Sequence, residues 1–91
     1  MAFNVNIGER MTEITMDKNL AENLVNSKLR LIREEIDKIL THWNYSDANE
    51  FVNDARAGKI REAENDAISM TNLLEQRDKL FKLKKGWADL D

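Results

Sequence analysis

The sequence predicts an all-α protein, or one that is nearly so: a long, a short and a medium helix in an elongated bundle, with a short N-terminal extended arm or hairpin. Three observations predict this fold. Proline is absent from the 91 residues, so no proline ring interrupts a helix. The glycines stand only at Gly8, Gly58 and Gly86, where the periodicity also changes. Between them, apolar residues recur every three or four positions, the spacing of one helix face.

The N-terminal segment has a different period. Phe3, Val5 and Ile7 alternate with asparagine, and Ile14 and Met16 alternate with polar residues in the same way. A period of two is typical of a half-buried extended chain, so we expect a hairpin or two arms that pair with another chain. An isolated hairpin is only marginally stable, and either arrangement therefore needs a surface to lie on.

The first helix is the longest. Asp17 is a good N-cap, because its carboxylate can accept from the free amides of the first turn, and the helix is predicted to run from Lys18 to Trp43. Its main apolar seam comprises Val25, Leu29, Ile32, Ile36, Ile39 and Trp43. Leu20, Leu24 and Leu31 project to a second side, so we expect the first half of this helix to be packed on two sides.

The length of this helix bears on the oligomeric state. At ~1.5 Å per residue it is ~39 Å long, whereas a compact globule of this chain length is ~32 Å across. A domain of this size also buries little more than ~60% of its unfolded surface when it folds alone, and without cysteine it has no disulfide to add. A second copy is therefore expected to complete the core.

Two further helices follow the long one. Ser46, as an N-cap, and Asp47, in the first turn, predict a short second helix, and Gly58 is placed to end it in a left-handed conformation. Its buried face comprises Ala48, Phe51, Val52 and Ala55. The third helix is expected to begin near Lys59. Its apolar stripe, broken at Arg77, comprises Ile60, Ala63, Ala67, Met70, Leu74 and Phe81.

These elements divide the chain into an extended arm at residues 1–16, a helical domain at 17–85 and a C-terminal tail at 86–91. Termini are usually frayed unless they dock. We expect Trp87, just beyond Gly86, to cover an apolar patch of the helical domain, with docking on a partner as the alternative.

Composition argues against several classes of function. The net charge is −3 and the 34% of charged residues intersperse both signs, so we expect no binding to nucleic acid or anionic lipid. No apolar run approaches the ~20 residues that a bilayer span requires, and the N-terminus lacks the pattern of a signal peptide. We therefore expect a soluble, cytoplasmic protein without membrane association, and the absence of cysteine fits a reducing compartment.

Catalytic and metal-binding residues are few. His42 is the only histidine, so a multi-histidine metal site cannot form, and only His42 could activate a serine or threonine nucleophile. Its position predicts a structural role at the C-terminal end of the first helix, where the helix dipole stabilises a positive charge. Trp43 and Tyr45 are expected to pack the corner between the first two helices. We expect no enzyme activity.

Two carboxylate pairs are the strongest metal candidates. Glu34 with Asp37, and Glu75 with Asp78, each stand three residues apart on one helix face. This arrangement resembles the helical pyrophosphohydrolases, which bind magnesium through such pairs, and it implies a magnesium-dependent nucleotide pyrophosphohydrolase. However, Glu34 and Asp37 lie off the apolar stripe and beside basic residues, where a solvated charged face explains them. We therefore expect no metal or cofactor.

The alternating segment from Thr12 to Met16 runs directly into an amphipathic stretch. That stretch reads Asp17, Lys18, Asn19, Leu20, Ala21, Glu22, Asn23 and Leu24. The junction resembles the strand-to-helix entry of ribbon-helix-helix DNA-binding antitoxins, in which the strand pairs with its copy and reads the major groove. The resemblance implies a regulator that masks a toxin. Glu13 would repel phosphate and the first helix is much longer than in that family, and both departures weaken the case for DNA binding.

The sequence favours a non-enzymatic function: an oligomerising protein–protein interaction module, most simply a homodimeric helical bundle. The alternatives are a small acidic antitoxin-type regulator, which would mask a toxin and could bind its own promoter DNA, and the magnesium-dependent nucleotide pyrophosphohydrolase. The residues predicted to form the interface are Leu24, Leu29, Ile32, Ile36, Ile39, Met70, Leu74 and Phe81.

Overall fold

The computed structural model describes residues 2–7 and 12–88, with the side chains of residues 17–87. Two strands and three helices follow in chain order: β1 (Ala2–Ile7), β2 (Thr12–Asp17), α1 (Lys18–Trp43), α2 (Ala48–Arg56) and α3 (Glu64–Ala88). The predicted class is confirmed, since three helices pack on one another behind a short N-terminal hairpin. Gly8 and the last three residues of the predicted tail lie outside the described residues.

The molecule is elongated, as predicted. Its radius of gyration is 15.9 Å and its extents are 50 × 22 × 18 Å, whereas a compact chain of this length has a radius of gyration of about 12 Å. The long axis follows α1 and α3. The chain turns back along α1 in α3, which brings Trp87 against Ala21 and Val25.

The N-terminal segments form a hairpin. β1 and β2 pair antiparallel, with Ala2 opposite Asp17 and Ile7 opposite Thr12, and together they make a two-stranded sheet. Among the described elements, α1 is the only helix that the hairpin contacts. The hairpin therefore projects from the start of α1 and does not lie on the body of the bundle.

The predicted bounds of α1 are confirmed, and both ends have a cap. The carboxylate of Asp17 accepts a hydrogen bond from the amide of Asn19 at 2.8 Å, which satisfies a free donor of the first turn. At the other end, Asn44 adopts a left-handed conformation with φ of 60°, and its amide donates to the carbonyl groups of Leu40 and Thr41. The helix stops there because a left-handed residue cannot continue it.

The start of α2 differs from the prediction by one residue. Asp47, and not Ser46, is the N-cap: its carboxylate accepts from the amides of Asn49 and Glu50 at 2.8 and 3.1 Å. Both residue types favour this position, and a carboxylate also gains from the positive end of the helix dipole. Gly58 follows the helix with φ of 75°, as predicted.

The predicted start of α3 was wrong. The helix begins at Glu64 instead of near Lys59, because Gly58 and Glu62 both have positive φ and a right-handed helix cannot pass through them. At the C-terminal end it continues through Gly86 to Ala88. Burial of Trp87 accompanies this extra turn and offsets the low helix propensity of the glycine.

The core has two parts. The main cluster lies where all three helices meet and comprises Ile32, Ile36, Phe51, Val52, Ala63, Ala67 and Met70. A smaller cluster lies at the other end of the α1–α3 pair and comprises Ala21, Val25 and Trp87, with Leu29, Leu80 and Leu83 packed against it. Trp87 therefore covers an apolar patch of the helical domain, as predicted.

Candidate interaction surface

The structure places the eight predicted interface residues in three different environments. Ile32, Ile36 and Met70 are buried in the core of the single chain. Leu29, Ile39 and Leu74 are half-buried at the edge of that core. Leu24 and Phe81 are exposed, and they stand on different helices. In the isolated chain these eight residues therefore do not form one surface, and their role between two chains stays a prediction.

A different set of residues forms an exposed apolar stripe on α1. Leu20, Leu24 and Leu31 are 52%, 45% and 54% exposed, although leucine is among the residues most often buried. At about 100° per residue, they lie together roughly 120° around α1 from its buried face. Ser27, also exposed, continues the stripe between Leu24 and Leu31. We call these four positions the leucine stripe.

The leucine stripe is exposed because the chain covers only one side of the first half of α1. α2 has nine residues, roughly 13 Å of helix, and its buried residues belong only to the main cluster. Trp87 and Leu83 of α3 cover the opposite end of α1 on its core side. The prediction that this half is packed on two sides was therefore wrong for the single chain.

The register of the hairpin pairs apolar positions with one another. Phe3 pairs with Met16, and Val5 pairs with Ile14. At the positions between them, polar residues are paired with polar residues. The alternation seen in the sequence is thus kept in the pairing of the strands, and among the described helices the hairpin contacts only α1.

The corner between α1 and α2 is held by aromatic donors, and the predicted packing of Trp43 and Tyr45 is confirmed. The indole Nε1 of Trp43 donates to Asp66 at 2.7 Å, and the hydroxyl of Tyr45 donates to Asp54 at 2.8 Å. Both rings pack near Phe51, with centroids 6.2 and 5.5 Å away. The two aspartate acceptors could not be predicted from the helical spacing, because it does not link residues so far apart in the chain.

The hydrogen bond to Asp54 raises the pKa of Tyr45 above its ordinary value, and burial and the negative charges of Asp54 and Glu50 add to this effect. A protonated phenol is the donor that this bond requires. His42 lies in the last turn of α1, and its ring stands edge-on to that of Trp43, with the two centroids 4.9 Å apart. These contacts hold α1 and α2 together at the corner. Among the described residues of the corner, no nucleophile lies beside a base.

The carboxylate pairs remain separate. Glu34 and Asp37 line an open surface depression with Lys38, Thr41 and His42, and Asp78 lies 4.0 Å from the Nε of Arg77. In the described part of the chain, no group of three or more aspartate, glutamate, histidine or cysteine residues could hold a metal ion.

A second groove lies between the end of α2 and the start of α3. Its lining mixes both signs of charge with exposed Ile68: Arg56 and Arg61 stand beside Glu62 and Glu64. Such a mixed lining selects no single charged ligand, because attraction from one sign is offset by repulsion from the other.

Comparison of the chain with protein-family models, curated proteins and solved structures gives no match. The resemblance to ribbon-helix-helix antitoxins is limited in the structure, where β2 pairs with β1 of the same chain and α1 extends over 26 residues. Over residues 2–7 and 12–88, no helix has both the length and the apolar character needed to cross a bilayer.

Proposed function

We propose that this protein is a non-enzymatic, oligomerising interaction module that acts as a homodimer, with the leucine stripe of α1 as its contact surface. One observation carries the proposal: three leucines about half exposed on one side of a single helix, away from the core. Contiguous exposed apolar residues on a small domain mark interaction sites more often than isolated ones do. The stripe contains one of the predicted interface residues, Leu24, and adds Leu20 and Leu31.

The energetics support an association that depends on each leucine. Complete burial of a leucine side chain is worth about 1.5–3 kcal/mol, so covering the exposed half of one contributes roughly 1 kcal/mol. Two copies contribute six such side chains. Because association also costs several kcal/mol of lost translational and rotational freedom, we expect a dimer whose stability is sensitive to every position of the stripe.

The test is the native mass, measured by light scattering after size exclusion at several protein concentrations. We expect the wild-type protein to be dimeric and Leu24→Lys to shift it to monomer, because the lysine would put a charge into the apolar contact. Asn19→Lys is the matched control, since it adds the same charge to an exposed position of the same helix but off the stripe.

Two outcomes would contradict the proposal. The first is a wild-type protein that stays monomeric at every concentration. The second is a dimer that Leu24→Lys and Asn19→Lys affect equally, since the contact surface would then lie elsewhere.

A further inference from the structure

We infer that the seam between α1 and α3, beyond the end of α2, is a docking site for a partner protein that presents a short amphipathic helix with acidic residues. The site consists of exposed Phe81 with Arg33, Arg77, Lys84 and Lys85 around it, and we call it the basic groove. Its edge on α1 lies roughly 140° around that helix from the leucine stripe. The inference therefore goes beyond the proposed homodimer, because it concerns another surface and another partner.

One row of residues on α3 shows where the chain stops covering this seam. Ala67, Leu74 and Phe81 are each seven residues apart, close to two full turns, so they lie in line along the helix. Ala67 is buried in the main cluster beside residues of α2. Leu74 is half-buried at the edge of that cluster, and Phe81 is 51% exposed. The row is thus covered by α2 at one end and open at the other.

Two side-chain hydrogen bonds define how α1 lies against α3. The indole Nε1 of Trp43 donates to Asp66 near the start of α3, and the Nζ of Lys84 donates to the Oδ1 of Asn26 at 2.7 Å near its end. The two helices are therefore antiparallel, with nearly the same register along their whole length. Lys84 marks the edge of the seam beside Phe81, since residues three apart are neighbours on a helix surface.

This register brings two arginines together. Arg33 follows Asn26 by seven residues, and Arg77 precedes Lys84 by seven, so each lies about two turns closer to α2 on the same edge of the seam. In antiparallel helices packed about 8–10 Å apart, Arg33 and Arg77 then lie opposite each other. Two positive charges in this position repel each other unless an anion lies between them.

Arg77 also has a donor without an acceptor. Its Nε is buried, and among the described residues no acceptor lies within hydrogen-bonding distance of it. The carboxylate of Asp78 is 4.0 Å away. A buried donor without an acceptor costs free energy, and a carboxylate matches the fork of donors on a guanidinium. A carboxylate from a partner would therefore satisfy the donor and separate the two arginines.

The charge distribution favours a short acidic partner over a long polyanion. Within four residues of Phe81 on α3 there are five cations and one acid, whereas residues 47–66 carry six acids and three cations. A nucleic acid strand that reached beyond the basic groove would be repelled by the acidic α2 end. A helix of a few turns meets only the basic groove.

The helix α2 shows what kind of element fits this seam. It has nine residues, its Phe51 is fully buried where α1 and α3 meet, and its Glu50 is exposed. A second short helix placed after α2 along the same seam would cover Phe81 in the same way. Its acidic residues would then lie beside Arg33 and Arg77.

The probe for this site is a peptide with the sequence of residues 47–57, held helical by a covalent staple between the exposed positions Asn49 and Asn53, because so short a helix is marginal in water. It is titrated to about 1 mM into isotopically labelled full-length protein. We expect amide chemical-shift changes centred on residues 26–33 and 77–85, and weaker binding at high salt, since exposed charges are screened.

A neutral version of the peptide tests the requirement for acidic residues. It carries Asp47→Asn, Glu50→Gln and Asp54→Asn and keeps the staple and the apolar side chains. We expect it to bind at least about threefold more weakly, because three exposed charge contacts are lost. Equal binding of the two peptides would contradict an acidic partner.

Two matched pairs of variants locate the contact. Phe81→Ser should weaken peptide binding about fivefold, and Ile68→Ser, a similarly exposed apolar residue of α3 outside the basic groove, is its control. Lys84→Glu should also weaken binding about fivefold. Lys79→Glu, exposed on the opposite side of α3, should change it less than about twofold. All four variants should keep the native mass of the wild type, since none lies on the leucine stripe.

Three further results would overturn the inference. They are the absence of localised shift changes at the highest peptide concentration, equal effects of Phe81→Ser and Ile68→Ser, and tighter binding of a single-stranded oligonucleotide than of the peptide at the same residues. In the last case the basic groove would be a nucleic-acid site. A monomeric wild-type protein overturns the proposed homodimer alone, because one chain contains the whole basic groove and the expected shift changes still support the inference.

Discussion

The two ends of the helical body differ in how completely the chain covers itself. At the end that contains α2, three helices enclose Phe51 and Met70, both fully buried. At the end near the hairpin, only α1 and α3 meet, and Trp87 closes a small cluster over Ala21 and Val25. The same helix, α1, passes through both ends. Beyond the end of α2, fewer of its apolar residues are covered by the chain itself.

This difference separates the residues of α1 that form the core from those that we propose for association. Ile36 of α1 serves the core of the single chain, whereas Leu24 and Leu31 of the same helix remain open to solvent. A chain that carried a longer α2 would be expected to cover more of α1 itself. The short α2 therefore leaves the uncovered half of α1 available for another chain.

The comparison predicts a large contrast between two aspartate substitutions on α1. Ile36→Asp should lower the free energy of unfolding by several kcal/mol, because it puts an unpaired charge into the main cluster. Leu31→Asp should lower it by only about 1 kcal/mol in the monomer, since that side chain is already about half exposed. Thermal unfolding at low protein concentration measures both. Equal losses would mean that the two ends are covered alike.

Removal of the indole at the hairpin end should have a smaller and more local effect. Trp87→Ala removes the largest side chain of the smaller cluster. We expect it to lower the free energy of unfolding by at most about 3 kcal/mol, the lower end of the cost of replacing a buried tryptophan by alanine. This end can open without the other, so amide exchange should accelerate in the first half of α1 and the last turns of α3. Unchanged exchange rates there, or equal acceleration in α2, would show that the two ends unfold as one.

The two helical-body glycines should respond in opposite directions to alanine. Gly58 has φ of 75°, so Gly58→Ala should cost roughly 1 kcal/mol. Gly86 lies within α3, and a Cβ there would meet no atom within 4 Å, so Gly86→Ala should stabilise by about 0.5 kcal/mol. Chemical denaturation curves of the two variants give the signs. Destabilisation by Gly86→Ala would indicate that the last turn of α3 does not continue to Ala88.

The smallest expected effect concerns Tyr45 and alkaline pH. Its hydrogen bond to Asp54 raises the pKa of the hydroxyl in the folded protein, so its contribution to stability is complete below pH ~10 and is lost as the pH rises through the folded pKa. Thermal stability should therefore fall in this range, and less so in Tyr45→Phe. As the only tyrosine, its ionisation can be followed by ultraviolet absorbance. Titration at or below pH ~10 would contradict the hydrogen bond.

Local chemistry predicted most of the elements. Asp17 and Gly58 mark boundaries through their own conformational preferences, and the period of two in β1 and β2 survives as a paired hairpin. The start of α3 was missed because Ile60 and Ala63 keep a helical spacing while they belong to the connection. Ala63 lies in that connection and is fully buried. The apolar spacing at these two residues therefore reflects burial, although they are not helical.

The candidate surface was harder to predict, because the spacing of apolar residues does not show which of them another part of the chain will cover. Leu31 and Ile32 are adjacent and equally apolar, yet one is 54% and the other 2% exposed. Which of them is covered depends on where α2 ends in space, and that position depends on the tertiary packing of all three helices. The second side of α1 could thus be recognised from its leucines, but not whether the chain itself would cover it.

Asp17 ends β2 and caps α1 at the same time, so no linker separates the sheet from the helix. The rotational position of the two-stranded sheet about the axis of α1 is consequently set by the number of residues at the junction. One residue inserted after Asp17 would turn the hairpin by roughly 100° about the axis of α1. A change in chain length of one residue would therefore redirect the whole hairpin without altering any residue within it.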